Sequence, residues 1–123
     1  MQWVAGFCGA GALLRRTALE DAGLFDESLY MYYEDTDMSW RLRSLGWDIV
    51  YQPTAVVRHV HCGTTGEWSP LFHYLVGRNR LLFVAKHFPA RLAVSQIGRF
   101  IAGAGKMRLR ADPAWRLRVP TLL

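Results

Sequence analysis

Cysteine is nearly missing from this 123-residue sequence: Cys8 and Cys62 stand far apart, and no Cys-x-x-Cys pair occurs. Two such thiols make no disulfide framework, so a reduced, cytoplasmic setting is expected. No apolar run reaches the roughly 18 residues that a membrane helix requires. The uncharged opening, residues 1–14, is too short and glycine-rich to span a bilayer and lacks the basic start of a secretory leader; it reads as a buried strand and loop. There is no internal repeat and no low-complexity segment. Nucleotide-binding α/β folds grip their ligand at strand ends and helix N-termini near the start of the domain. Neither a glycine-rich phosphate loop nor an early Asp-x-Asp pair is found there, so the sequence reads as beginning mid-domain. Acidic residues almost vanish from the C-terminal part. Residues 68–123 hold ten Lys/Arg against Asp112 alone, whereas residues 1–67 hold five Lys/Arg against nine Asp/Glu.

A composition of 51% hydrophobic and 20% charged residues is that of a core-forming chain, long enough for one domain or part of one. The net charge of +5 belongs wholly to the C-terminal half. That half reads either as a solvated helical tail or as an arm drawn to anionic lipid headgroups. Nucleic acid is not an expected partner, because neither zinc-finger spacing nor another nucleic-acid motif occurs.

Short strands are expected over residues 2–7, 12–15, 48–51 and 55–60. Thr17 and Glu20 form a capping-box pair for a first helix that stops at Gly23. A second helix should begin near Asp35 or Thr36 and end at Gly46, burying Met38, Trp40, Leu42 and Leu45 and projecting Arg41 and Arg43 outward. Gly63-Thr64-Thr65-Gly66 reads as a loop. Ser69 as N-cap and Pro70 at the first helical position start a third helix that runs to about His87, where Pro89 begins the next. Gly103 and Gly105 should weaken that last helix.

The densest chemistry is Gly23-Leu24-Phe25-Asp26-Glu27 followed by Tyr33-Glu34-Asp35-Thr36-Asp37 and Arg41. Four carboxylates (Asp26, Glu27, Glu34, Asp35) within ten positions need solvent, a partner or a ligand. Two readings of Asp35 stand side by side, as a helix N-cap or as a reacting carboxylate favoured by a helix N-terminus. Asp37 and Arg41, four apart, can pair along the helix. His61 and Cys62 lie close enough to suggest zinc with Cys8 or His73, but in no closed four-ligand pattern. Trp3 and Trp47 read as core packing before sugar stacking.

These stretches, with Gly9-Ala10-Gly11-Ala12-Leu13-Leu14-Arg15-Arg16, Gly46-Trp47, Pro53, His59 and Arg78-Asn79-Arg80, resemble the C-terminal half of a family 2 glycosyltransferase catalytic domain, especially its rhamnosyltransferase-like branch. The resemblance covers about residues 3–87. It implies an α/β fold, a partial GT-A-like (nucleotide-diphospho-sugar transferase) domain lacking its N-terminal nucleotide-binding half. Residues 1–87 would be the acceptor-side half and residues 88–123 a basic helical tail. The implied reaction is inverting transfer from a nucleotide-sugar donor to a polysaccharide or lipid-linked acceptor, with Asp35 as catalytic base; the chain alone is expected to be inactive. Glu34 and Asp37 would hold the acceptor or orient the helix, Arg41 would fix Asp37, and Gly9 and Gly11 would let the backbone approach the acceptor. His59 would help hold a divalent metal, Mg²⁺ or Mn²⁺, whose other ligands are expected in the N-terminal half. Arg78, Asn79 and Arg80 would meet the diphosphate, or face solvent. Peripheral contact with the inner face of the cell membrane is expected from the basic tail. The competing readings are a non-catalytic remnant that binds sugar or an anionic membrane surface, and a basic nucleic-acid module.

Overall fold

The computed structural model describes residues 1–60 and 68–109, with side chains described through residue 103. The chain divides into two compact units, Met1–His61 and Cys62–Leu123.

In the first unit, β1 (Gln2–Trp3) pairs antiparallel with β2 (Val50–Tyr51), Gln2 opposite Tyr51 and Trp3 opposite Val50. One further bond, from the Val4 N–H to the Ile49 carbonyl at 3.0 Å, extends this contact. The expected strands over 2–7 and 48–51 are therefore real only at their outer ends. Residues 12–15 and 55–60 join no ladder. Trp3 is 65% exposed, so it is not a core residue.

Helix α1 (Arg16–Ala22) starts one residue before Thr17, with Arg15 as an N-cap that makes no side-chain bond. Thr17 is thus inside the helix and no capping box forms; Glu20 instead accepts from Arg16 Nε at 2.8 Å. The helix stops at Gly23, whose φ of 76° suits glycine.

Helix α2 (Glu34–Ser44) ends as its sequence suggests. Gly46 has φ 86°, its N–H reaches the Arg43 carbonyl, and the Trp47 N–H reaches the Leu42 carbonyl at 3.0 Å. This is the paired 5→2 and 6→1 pattern of a Schellman stop. Met38 and Leu42, four apart on one face, join Ala18 in the core, with Phe7, Leu14, Leu19, Ala22 and Trp47 packed against them. Trp40 is exposed because it lies off that face, and Leu45 is exposed as the C-cap residue beyond the last helical turn. Polar Asp37 and Ser39 are buried on the same helix.

In the second unit, α3 (Pro70–His87) begins with Ser69 accepting from the Phe72 N–H at 3.1 Å and Pro70 at the first position. It packs on α4 (Ala90–Leu109), which continues through Gly103 and Gly105. Leu75, Asn79 and Phe83, spaced four apart, form the buried stripe of α3, and Ala93 is buried on α4. Because α3 and α4 pack together, the C-terminal helix does not stand apart as a tail from residue 88. The loop at Gly63-Thr64-Thr65-Gly66, the His61–Cys62 pair and residues 110–123 lie outside the described residues.

Among the described residues no helix is long and apolar enough to cross a membrane. The chain is mostly helical with a small two-stranded sheet, a more helical architecture than the α/β expectation.

Candidate active site at the start of helix α2

The approach to α2 is strained. Tyr30, Tyr32 and Tyr33 have φ of 57°, 68° and 72°. The left-handed region costs a side-chain-bearing residue about 1–2 kcal/mol, and such strain gathers where surrounding structure fixes a functional site. The turn before it is held by an Asx bond, Ser28 N–H to Asp26 Oδ1 at 3.0 Å, and by the buried side chain of Leu29. Tyr33 is the N-cap residue and accepts from the Asp37 N–H at 2.8 Å through its carbonyl. Asp35 is therefore inside the first turn, not its cap.

From that position Asp35 is held at both oxygens. Oδ1 accepts from the Thr36 N–H at 2.7 Å and the Thr36 hydroxyl at 3.3 Å; Oδ2 accepts from the Gly9 N–H at 3.0 Å. Gly9 is exposed, and a Cβ built there would lie 3.8 Å from Asp35 Oδ2 and 3.9 Å from Glu34 Oε1. Both carboxylates thus border the Gly9 backbone. Gly11 does not share this place: a Cβ built there would lie 3.3 Å from the Val57 side chain.

Glu34 differs from its neighbour. Its Oε2 is buried and accepts no hydrogen bond. Burial pushes its carboxyl above the ordinary value, and the charge of Asp35 pushes the same way; backbone N–H groups of Glu34 and Tyr32 pull against both.

Asp37 and Arg41 form an ion pair, Nε to Oδ2 at 2.8 Å, but not on the surface. Asp37 is fully buried, and the Arg41 side chain is 17% exposed. The rest of the guanidinium turns inward, to the carbonyls of Ala22, Gly23 (3.2 Å) and Leu24 (3.0 Å). Arg41 therefore ties the end of α1 to α2 and does not project outward, and Asp37 is its buried partner. A planar fork that serves one carboxylate and three carbonyls suits arginine and not lysine.

His59 is exposed, and among the described residues no group of three His, Cys, Asp or Glu side chains is placed to hold a metal. These residues by themselves do not build a metal centre. In the second unit Asn79 is fully buried and its Oδ1 accepts from Arg78 Nη1 at 2.7 Å, whereas Arg80 is exposed. Ser39 was not singled out by its sequence, yet its hydroxyl links α2 to the Phe7 backbone at 3.1 Å.

Known proteins are similar to this chain. Over 71 residues, 58% of this chain, it is 44% identical to an N-acetylglucosaminyl-diphospho-decaprenol L-rhamnosyltransferase of Mycobacterium tuberculosis. Over 59 residues, 48% of the chain, it is 37% identical to a pre-mycofactocin glycosyltransferase of the same organism. The matched stretches make up 22% and 12% of those proteins, so the chain corresponds to less than a quarter of either relative. No solved structure matches the chain. A family model matches residues 2–80, which include the whole Glu34–Arg41 constellation and the loop facing it, and the chain belongs to that family, the glycosyltransferase-like family 2.

Proposed function

We propose that the chain is the acceptor-side part of a GT-A-type catalytic domain that transfers a sugar, with inversion, from a nucleotide-diphospho-sugar to a polysaccharide or lipid-linked acceptor. Asp35 is the base. The observation that carries this reading is the state of its carboxylate. An ionised carboxylate offers about four lone-pair sites. Oδ1 uses two on Thr36 and Oδ2 uses one on Gly9, which leaves one site on Oδ2. An acceptor hydroxyl that donates to this site is aimed and deprotonated by the same atom.

In the transfer, the acceptor oxygen attacks the anomeric carbon from the face opposite the nucleoside diphosphate. The new C–O bond forms as the old one breaks, the leaving diphosphate keeps the bonding electron pair, and the hydroxyl proton passes to Asp35 Oδ2. Glu34, kept toward its neutral form by burial, borders the same place and holds the acceptor. Arg80, with the exposed part of Arg78, is the proposed contact for the diphosphate. A divalent metal would supply Lewis-acid stabilisation of the leaving group, with His59 the one candidate ligand proposed among the described residues.

The name of the rhamnosyltransferase relative favours a lipid-linked diphosphate sugar as acceptor. Such an acceptor sits at a membrane surface, and the basic α3–α4 hairpin suits peripheral attachment to the cytoplasmic face.

The test is a transfer assay with the full-length protein, a panel of nucleotide-sugars and polyprenyl-diphospho-N-acetylglucosamine, followed by NMR of the product's anomeric centre. Inverted configuration is expected. Retained configuration contradicts single displacement by Asp35, and acceptor binding without transfer from any donor supports a non-catalytic chain.

A further inference from the structure

We propose that Ser39 is a positioning residue for Asp35: it clamps the loop after β1 onto α2 so that the Gly9 amide stays on Oδ2. The catalytic meaning of this clamp rests on the reading of Asp35 as base; its geometry does not.

Beyond Val4 the chain leaves the sheet, and two of its amides turn to α2. The Phe7 N–H donates to Ser39 Oγ at 3.1 Å, and the Gly9 N–H donates to Asp35 Oδ2 at 3.0 Å. The spacing is matched. Two residues of extended chain advance about 6.6 Å, and four residues of helix rise about 6 Å. A loop running against the helix direction can therefore bond once per helical turn, at Ser39 and then at Asp35.

Ser39 is suited to the first of these bonds. It is 3% exposed, and its hydroxyl proton goes to the Asp35 carbonyl at 2.6 Å, which leaves its lone pairs to the Phe7 amide. One hydroxyl thus touches the backbone of the proposed base and the backbone of the loop that completes it. Gly6 allows the approach: a Cβ there would lie 3.0 Å from Ser39 Oγ and 3.1 Å from Ser39 Cβ, tighter than ordinary contact. Gly9, by contrast, could carry a Cβ with nothing closer than 3.7 Å. The close contact in this loop is at Ser39, while the bond to the carboxylate is two residues further on. Without the Ser39 bond, a single exposed hydrogen bond is left to set the direction of the Oδ2 lone pair that receives the acceptor proton.

The test is an NMR pH titration of the amides of Gly9 and Thr36 in the 123-residue chain. Each donates to one oxygen of Asp35, so both should shift as that carboxylate gains its proton. Asp35→Asn removes this response and leaves only what the neighbouring Glu34 contributes. In Ser39→Ala, alanine keeps α2 helical, so Thr36 should still respond while the Gly9 response is lost. Thr36 is the internal check that the helix survives. Should Ser39→Ala fail to fold, Gly6→Ala, which forces the loop off Ser39, carries the same expectation. A Gly9 response that persists in whichever variant folds, or that is absent from the unmodified chain, overturns the proposal. In the full-length enzyme Ser39→Ala should lower kcat roughly tenfold, the scale of a misaligned reacting group, with donor KM unchanged. Loss of the Gly9 response with full turnover would leave the clamp standing but refute its catalytic role, whereas Asp35→Asn tests the base itself.

Discussion

The main-chain N–H of Gly9 donates to Oδ2 of Asp35 at 3.0 Å, joining residues 26 apart in sequence. Through that bond, a loop with no ladder partner and a helix with no side-chain N-cap build one site. The loop contributes a bare amide, and the helix contributes a carboxylate with one unused acceptor position. Three further features of the first unit hold the elements around them. The Schellman stop at Gly46 ends α2, Arg41 ties α2 to α1, and the antiparallel pair β1–β2 anchors the start of the loop.

Arg41 should be the most sensitive of the supporting residues. Arg41→Ala removes the buried ion pair with Asp37 and the donor that serves the carbonyls of Ala22, Gly23 and Leu24. Breaking a buried pair from one side costs about 3–5 kcal/mol. The 17% exposure of Arg41 points to the lower end. Arg41→Lys should recover part of the pairing with Asp37 but not the fork to the carbonyls. Urea unfolding of the three proteins should rank unmodified above Lys above Ala. Equal midpoints would mean that this node contributes nothing.

Glu34 should make stability depend on pH in the direction opposite to most carboxylates. Its folded-state proton affinity is raised, chiefly by burial. Between the ordinary value of 4.5 and that raised value the folded state holds more proton than the unfolded one. Stability from this group is therefore full below about pH 4.5 and is lost as pH rises through the raised value. Glu34→Gln removes the effect. The difference in urea midpoint between Glu34→Gln and the unmodified protein should grow in favour of glutamine from pH 4.5 to pH 7. A constant difference would show that the carboxyl is not buried in solution.

The basic hairpin should bind anionic vesicles. Arg80, Arg91 and Arg99 are exposed, as are Val94 (70%) and Ile101 (50%), seven apart on α4. Vesicles containing phosphatidylglycerol should co-sediment with the chain at low salt and release it as ionic strength rises, since exposed charges are screened over about 10 Å at 0.1 M. Equal binding to neutral and anionic vesicles would remove the electrostatic argument.

What the sequence disclosed and what it hid follow one physical division. Helix punctuation was legible, because Ser69-Pro70, Gly23 and Gly46 act through their own backbone geometry. The Asp37–Arg41 pair was legible for the same reason, as an i,i+4 contact within one helix. Its burial was not legible, because the remaining partners of Arg41 are main-chain carbonyls, which every residue carries. Ser39 was hidden likewise: its partners are the Phe7 amide and the Asp35 carbonyl. In the stripe Met38, Trp40, Leu42, Leu45, Met38 and Leu42 at i,i+4 spacing are in the core, while Trp40 lies on another face and Leu45 falls past the end of the helix. The left-handed run at Tyr30, Tyr32 and Tyr33 gave no signal, since no glycine or asparagine marks it.

The central claim is that Asp35 takes the acceptor proton. Asp35→Asn keeps the size of the side chain and an oxygen for the bonds from Thr36 and gives up the exposed Gly9 bond, so the melting temperature should fall only slightly. Asparagine cannot accept the proton, so kcat in the full-length enzyme should fall roughly 10²–10⁴-fold, the usual worth of general-base catalysis. Donor affinity should stay the same, because the proposed diphosphate contacts lie elsewhere in the chain. The decisive measurement is single-turnover transfer by Asp35→Asn at saturating donor and acceptor. A rate lowered by at least the smaller of those factors, in a folded enzyme that still binds donor, is the result expected. Near-normal transfer would make Asp35 only a structural carboxylate that holds the Gly9 loop.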